Sequence, residues 1–328
     1  MISPCKPPFP YPRPPRLLLL KPRRLPGRKR MTIAAGFPCK NGLVLCADTQ
    51  ETVSGYVKTD TGKIRVLSTP RHHIVFTGAG DSDLIDTAID EMSDAVRAEN
   101  PEGLTRVAAV LKKTMLRVFE ESVKPYAAFP LDDRPSITLL VGIQSAAATV
   151  LYKASGTSFR LLQNAECIGY GLALGKSLTK QIFKEDMTVE HAGLTAVYVL
   201  QQAKRWVDGC GGNSDIVVLS NDGNVLQMSA GMVNQLEKHF DEFNRHLRPI
   251  IIACADRDVE DKKFNEMMDD FDYQLRRLRG RFTSDMFGLL HGSGSEEAFL
   301  SGFVPKKRER KKRSNPTPAP SVPNQTPE

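Results

Sequence analysis

Thr32, Asp48 and Lys63 bring a hydroxyl, a carboxylate and an ammonium into one short stretch of the chain. A threonine hydroxyl is a weak nucleophile at neutral pH and needs a base to take its proton. At a chain terminus the residue's own α-amino group can serve, because its ordinary pKa of about 8 lies close to working pH. A lysine ammonium nearby disfavours a second positive charge and lowers that amine further. A carboxylate on an adjoining strand would hold such a lysine charged and oriented. Each residue also has a plainer reading. Threonine at a strand start is a common β-branched strand residue, aspartate at a strand end a turn residue, and a lone lysine a solvated one.

The elements around these residues read as alternating blocks of strands and helices. Thr32–Phe37 and Leu43–Ala47 are short apolar runs joined by Lys40-Asn41-Gly42, which tolerates positive φ, so the body opens on a hairpin. Two more short runs follow, Ile64–Leu67 and His73–Thr77. Leu84, Ile85, Ala88, Ile89, Met92, Ala95 and Val96 then recur at helical spacing, with Ser82 as the candidate cap and Asn100-Pro101 as the stop. A second helix carries Leu104, Val107, Leu111, Met115 and Val118. The order repeats, with strands at Ile137–Ile143, Thr149–Tyr152, Phe159–Leu162 and Cys167–Ile168, and helices over Leu172–Phe183 and Val189–Val207. A last hairpin, Ile216–Leu219 with Val225–Met228, closes it. Segregated blocks of this kind predict an α+β sandwich of four layers, αββα, with each helix pair covering one sheet. Residues 233–281 read as an accessory helical segment whose apolar stripe breaks near Pro249, and the main folded domain as 32–232.

The stretch Met31-Thr32-Ile33-Ala34-Ala35-Gly36, followed by Gly42-Leu43-Val44-Leu45-Cys46-Ala47-Asp48-Thr49, resembles the start of proteasome beta subunits and of the related bacterial protease. Gly62-Lys63-Ile64 is similar to the segment that holds that family's catalytic lysine, and Phe76-Thr77-Gly78-Ala79-Gly80-Asp81 to its glycine-rich turn. Ile168-Gly169-Tyr170-Gly171 and Asp208-Gly209-Cys210-Gly211-Gly212 fall where the family has two further active-site segments. Singly each match is weak; five in order over about residues 32–230 are a strong signal. The resemblance implies an N-terminal-nucleophile hydrolase that cleaves amides through an acyl-enzyme on Thr32 Oγ. Lys63 and Asp48 would support the base, and the Gly78 N–H, or that of Gly80, would stabilise the oxyanion. Asp208 and Cys210 complete the implied site.

The sequence departs from that pattern at three places. Tyr170 stands where the family usually has serine, Gln50 where arginine is common, and Cys210 follows Asp208 after one residue where the family has serine after two. Cys210 is either a weaker hydrogen-bonding substitute for that serine or a buried structural thiol. A threonine inside a chain has no free amine, so residues 1–31 are expected to be a propeptide or to precede the true start. A start at Met31, followed by removal of that methionine, is the simpler route and the favoured one.

Charge divides the chain. The first 30 residues carry nine cations and no acid, and residues 304–328 carry seven cations and two acids, so a chain of net +7 has a body of −7 between them. Both ends are also proline-rich, which argues for disorder over 1–31 and 282–328. The cations lie outside the body and no aromatic-interleaved basic surface is legible, which counts against nucleic acid as the partner. No apolar run approaches the roughly 20 residues of a membrane span. The six cysteines show no metal-ligand spacing, so neither metal nor cofactor is expected, and reduced, mostly buried thiols of a cytoplasmic protein are.

Two functions follow from the resemblance: a threonine endopeptidase acting on peptides or unfolded protein, and a catalytically inactive structural subunit of a proteasome-like assembly. Thr32, Asp48 and Lys63 together favour the enzyme. A homo-oligomeric ring of at least six subunits is expected. An ATPase or alpha-type partner stays open.

Overall fold

The computed structural model describes residues 32–53, 57–130, 134–146 and 148–291. The disorder expected of residues 1–31 and 292–328 lies outside them. Twelve strands and six α-helices are present among the described residues. The first sheet has the order β10-β1-β2-β11-β12, formed by Glu166–Gly169, Ile33–Cys39, Gly42–Asp48, Ser214–Ser220 and Val225–Gln227. The second has the order β5-β6-β7-β8-β9, formed by Ile64–Ser68, His72–Gly80, Ile137–Ser145, Ala148–Ser155 and Ser158–Leu162. A two-stranded ribbon, β3 (Gln50–Val53) with β4 (Val57–Asp60), lies between β2 and β5 along the chain. Apolar periodicity does not reveal this ribbon, because its residues are mostly polar.

Three separate apolar clusters account for four layers. Side chains on a strand alternate between faces, and each sheet is apolar on both. From β1, Ile33, Ala35 and Phe37 join α3 (Leu172–Ile182) and α4 (Val189–Trp206) on one side, while Ala34 faces the second sheet. β2 divides in the same way, Val44 and Cys46 toward the helices, Leu43, Leu45 and Ala47 inward. On the second sheet, Ile74, Phe76, Leu139, Val141 and Ile143 pack beneath α1 (Ser82–Glu99) and α2 (Gly103–Ser122), while Val75 and Leu140 meet the first sheet. The fold is therefore the α+β, four-layer αββα sandwich that the order of elements predicts.

Local chemistry refines the boundaries. The cap of α1 is Asp81, whose carboxylate accepts from the Leu84 N–H at 3.4 Å, rather than Ser82 one residue on. Asn100 ends the helix in the left-handed region at φ 42. The accessory segment is a pair of long helices, α5 (Ala230–Ala255) and α6 (Asp261–His291). α5 runs through Pro249, with Ile250 and Ala253 beyond it both buried. α6 continues to His291, past the limit of 281 expected from its apolar stripe. Val233 and Leu236 extend the cluster over α4, and Phe240 packs between Tyr198 and Phe282 with tilted rings, centroids 5.0 and 4.9 Å apart. No helix among the described residues is long and apolar enough to cross a membrane.

Candidate active site

The hairpin β1–β2 puts Thr32 beside Asp48 because its ladder pairs Ala34 with Ala47, close to both residues. Asp48 is fully buried, and four hydrogen bonds saturate its carboxylate. Oδ1 accepts from Thr32 Oγ1 at 3.1 Å, from the Ile33 N–H at 3.1 Å and from Lys63 Nζ at 2.8 Å; Oδ2 accepts from the Gly211 N–H at 3.0 Å. Burial of a carboxylate at such depth is tolerated when its oxygens are hydrogen-bonded and a cation lies alongside.

Lys63 is the centre of the cluster. Its Nζ donates to Thr32 Oγ1, to Asp48 Oδ1 and to the Gln50 carbonyl oxygen at 2.6 Å, with 15% of the side chain exposed. An ammonium has three donors and no acceptor. Three acceptors thus face its three N–H bonds. The backbone delivers Lys63 here through the turn after β4. Thr61 N–H donates to the Thr49 carbonyl at 2.8 Å, and Lys63 N–H to Asp215 Oδ2 at 3.3 Å.

The far wall is a second glycine segment. Gly171 N–H donates to the Thr32 carbonyl at 3.2 Å, and Gly169, at φ 90, lies so near that a Cβ there would come within 2.3 Å of the same oxygen. Only glycine fits that approach. Tyr170 between them is 56% exposed, so an aromatic ring stands in solvent on this segment. Cys210 is buried next to Gly171. Burial foremost, and then the Asp48 carboxylate, push its thiol up to about 12, against the opposing pull of Lys63 and the Gly171 backbone. Burial and a raised pKa both disfavour the thiolate that a nucleophilic cysteine needs.

Of the six residues singled out in the sequence, Thr32, Asp48 and Lys63 are brought into direct contact and Cys210 lies against them. Gly78 sits one step past the last β5–β6 pair, Ile64 with Thr77, which sets it at the register position next to Lys63. Asp208 is not brought in: it is exposed beyond the end of α4 and makes none of the bonds described. The carboxylate that does reach the cluster is Asp215, which no motif marks. Its pKa is raised, chiefly by burial and further by Asp60 and Asp48, although the Lys63 N–H and charge oppose this. The one available signal is an acid at the head of the apolar run Ile216–Leu219, on the strand that pairs with β2. A glycine-rich neighbourhood makes Asp208 the more conspicuous of the two in the sequence.

A family model described as proteasome subunit matches residues 29–219, more than half of the chain. The chain belongs to the proteasome subunit family. Several solved structures share this proteasome-family fold. Anbu (ancestral beta-subunit) from Yersinia bercovieri is 14% identical, with a TM-score of 0.56, over 66% of this chain and 97% of its own. An Anbu (Gly-1) mutant from Hyphomicrobium sp. strain MC1 is 17% identical, with a TM-score of 0.55 over the same shares. The structure described as the helical assembly of the Anbu complex from Pseudomonas aeruginosa is 15% identical, with a TM-score of 0.54, over 66% of this chain and 96% of its own. No curated protein matches the sequence. The likeness to these structures is one of fold, and the chain is a proteasome-like subunit.

Proposed function

We propose that this subunit is a threonine-type endopeptidase whose nucleophile is Thr32 Oγ1. The observation that carries the reading is the convergence of Lys63 Nζ on Thr32 Oγ1, Asp48 Oδ1 and the Gln50 carbonyl. A buried ammonium held against a hydroxyl stabilises developing negative charge on that oxygen and lowers the pKa of an adjacent amine. In the chain starting at Thr32, the free α-amino group takes the hydroxyl proton as Oγ1 attacks the carbonyl carbon of a peptide bond. The carbonyl oxygen becomes an oxyanion, for which the Gly78 N–H is the proposed donor. Collapse breaks the C–N bond, and the ammonium returns its proton to the leaving amine. Water, deprotonated by the same amine, then attacks the ester carbonyl carbon; the bond from that carbon to Thr32 Oγ1 breaks, the ammonium returns its proton to Oγ1 and the acid product leaves.

The substrate class is peptide or unfolded protein, and the working form is a homo-oligomer of at least six subunits in the cytoplasm. A heterologous interface repeated around an axis closes into a ring or, at another angle, runs on as a helix. The Pseudomonas aeruginosa relative is described as a helical assembly; a closed ring is proposed here, because it limits access to Thr32 to unfolded chains. Light scattering coupled to size exclusion tests the assembly, and a clean monomer at micromolar concentration would remove it while leaving the hydrolase reading intact.

The mechanism requires a free amine on Thr32, so the mature chain is expected to begin there. Intact mass and the N-terminal residue of hydrolytically active protein decide this. Active protein that retains residues 1–31 would overturn the amine-as-base mechanism. Correctly trimmed protein that turns over no peptide amide would favour a structural subunit.

A further inference from the structure

The loop that holds the outer oxygen of Asp48 is itself held from outside the residues matched by the family model. Gly211 N–H donates to Asp48 Oδ2 at 3.0 Å, and the Gly211 carbonyl accepts from the Gln50 N–H at 3.0 Å, tying the loop to two residues that accept from Lys63. The next residues lead into β11, where Ser214 is the cross-strand partner of Asp48. Ser214 Oγ donates to Glu237 Oε1 on α5 at 2.8 Å. The same oxygen accepts from Lys204 Nζ on α4 at 2.6 Å, and Lys204 Nζ reaches back to the Gly212 carbonyl at 3.4 Å. Glu237 and Lys204 are only 15% and 13% exposed. One carboxylate on the accessory helix therefore grips the loop at two points, directly at Ser214 and through Lys204 at Gly212, on either side of Asn213. Salt bridges this enclosed are poor sources of net stability, and what this one fixes is position.

We infer that Glu237 is a positioning residue for the Thr32–Lys63–Asp48 cluster, and that the accessory helix α5 belongs to the catalytic apparatus by setting the register of Asp48. The role in turnover rests on the hydrolase reading of the site; the holding of the loop does not. Without Glu237, the Gly211–Ser214 segment loses its anchor on α5 and keeps those on its inner side, from Gln50 and Thr49 to the Gly211 and Asn213 carbonyls and from Asn213 to Asp60, so the Gly211 N–H is held less firmly against the outer oxygen of Asp48. Asp48 stays bound at Oδ1 to Thr32, Ile33 and Lys63, and the slack at Oδ2 loosens the orientation of the carboxylate that Lys63 faces.

The test compares Glu237→Ala, Glu237→Gln and Arg205→Ala in the full chain. Arg205→Ala removes an exposed α4–α5 ion pair, to Asp241 at 3.3 Å, that does not touch the loop. Two readouts are taken: amide hydrogen exchange over residues 210–215, and the pH profiles of kcat and kcat/KM on a peptide amide. Glu237→Ala should speed exchange in that loop by at least about tenfold. It should also lower kcat about tenfold, change KM by less than about twofold and displace the rising limb of the profile. Glu237→Gln keeps a carbonyl oxygen that can accept from both donors and should restore part of each. Arg205→Ala should leave both readouts as in the unaltered protein. If Glu237→Ala does not fold, Glu237→Gln is decisive, and a partial loosening of the loop with a displaced limb is expected of it. Unaltered loop exchange overturns the inference, as does faster exchange with unchanged kcat and pH profile. Absence of Thr32-dependent turnover in the unaltered protein would sink the hydrolase reading instead, and the exchange measurement would still decide whether Glu237 holds the loop.

Discussion

Where α1 and α2 cover the second sheet, the contact is built from Leu84, Ile89, Met92, Leu111, Met115 and Val118 against Phe76, Leu139 and Val141. Its buried hydroxyls turn back on their own helices, Ser93 to the Ile89 carbonyl and Thr114 to the Val110 carbonyl. Where α4 and α5 meet above the first sheet, Gln201, Lys204, Glu237 and Ser214 form a largely buried network across the helices. The two halves share strand number and helix pairing, yet one is closed by apolar area and the other partly by charge. Apolar burial stabilises without fixing a direction, whereas a satisfied polar network fixes direction at a desolvation cost. The directional half is the one that surrounds Thr32.

That contrast is broken most severely at the hydroxyl. Thr32→Ala should abolish peptide turnover while costing only about 1 kcal/mol of stability, measured by activity beside urea unfolding; retained turnover would end the assignment. Lys63→Ala comes next, with turnover down by about 10²–10⁴-fold. Because Asp48 is fully buried, losing its cation should also destabilise the fold by about 3–5 kcal/mol. In the apolar half the expectation reverses. Leu111→Ala should cost about 2–5 kcal/mol, yet turnover per folded molecule should stay unchanged in a titrated assay.

Two glycines sharpen the contrast further. Gly169 is pressed against the Thr32 carbonyl, so Gly169→Ala must push Thr32 aside and should lower turnover by about tenfold or more. Gly103 at the start of α2 has a similar φ of 75 and open space where a Cβ would stand, so Gly103→Ala should cost about 1 kcal/mol and no activity. Equal effects of the two on kcat would remove the distinction between the halves. The smallest effect concerns Asp215. Its folded-state carboxyl binds a proton more tightly than the unfolded one, so stability falls as pH rises from the ordinary carboxylate value through the raised one. Asp215→Asn should remove that fall, and thermal unfolding of both proteins between about pH 3 and 7 would show it.

How much of this is legible in the sequence varies with the kind of residue. β1, β2, β6, β7 and β11 announce themselves, because strands buried on both faces are unbroken apolar runs. The ribbon β3–β4 does not, since a mostly polar run carries no apolar periodicity. Helix α5 also continues through Pro249, where burial of Ile250 and Ala253 outweighs one missing N–H.

Sequence alone determined the order of the helices and of the strands of the two large sheets, the two-sided burial of those sheets and the hairpin that carries Thr32 and Asp48, because each follows from neighbours close along the chain. It also supplied Lys63, through a motif whose order and spacing repeat those of a family. Only the tertiary structure decided which carboxylate completes the cluster. Asp208 and Asp215 lie in the same loop-to-strand passage, and the β2–β11 register carries Asp215 to Lys63 while leaving Asp208 in solvent. The tertiary structure likewise decided that Glu237, distant in sequence and unmarked by any pattern, reaches Ser214 and so the partner strand of Asp48. A side chain's type is written locally, but its neighbours across a sheet or between helices depend on register and packing summed over the whole fold.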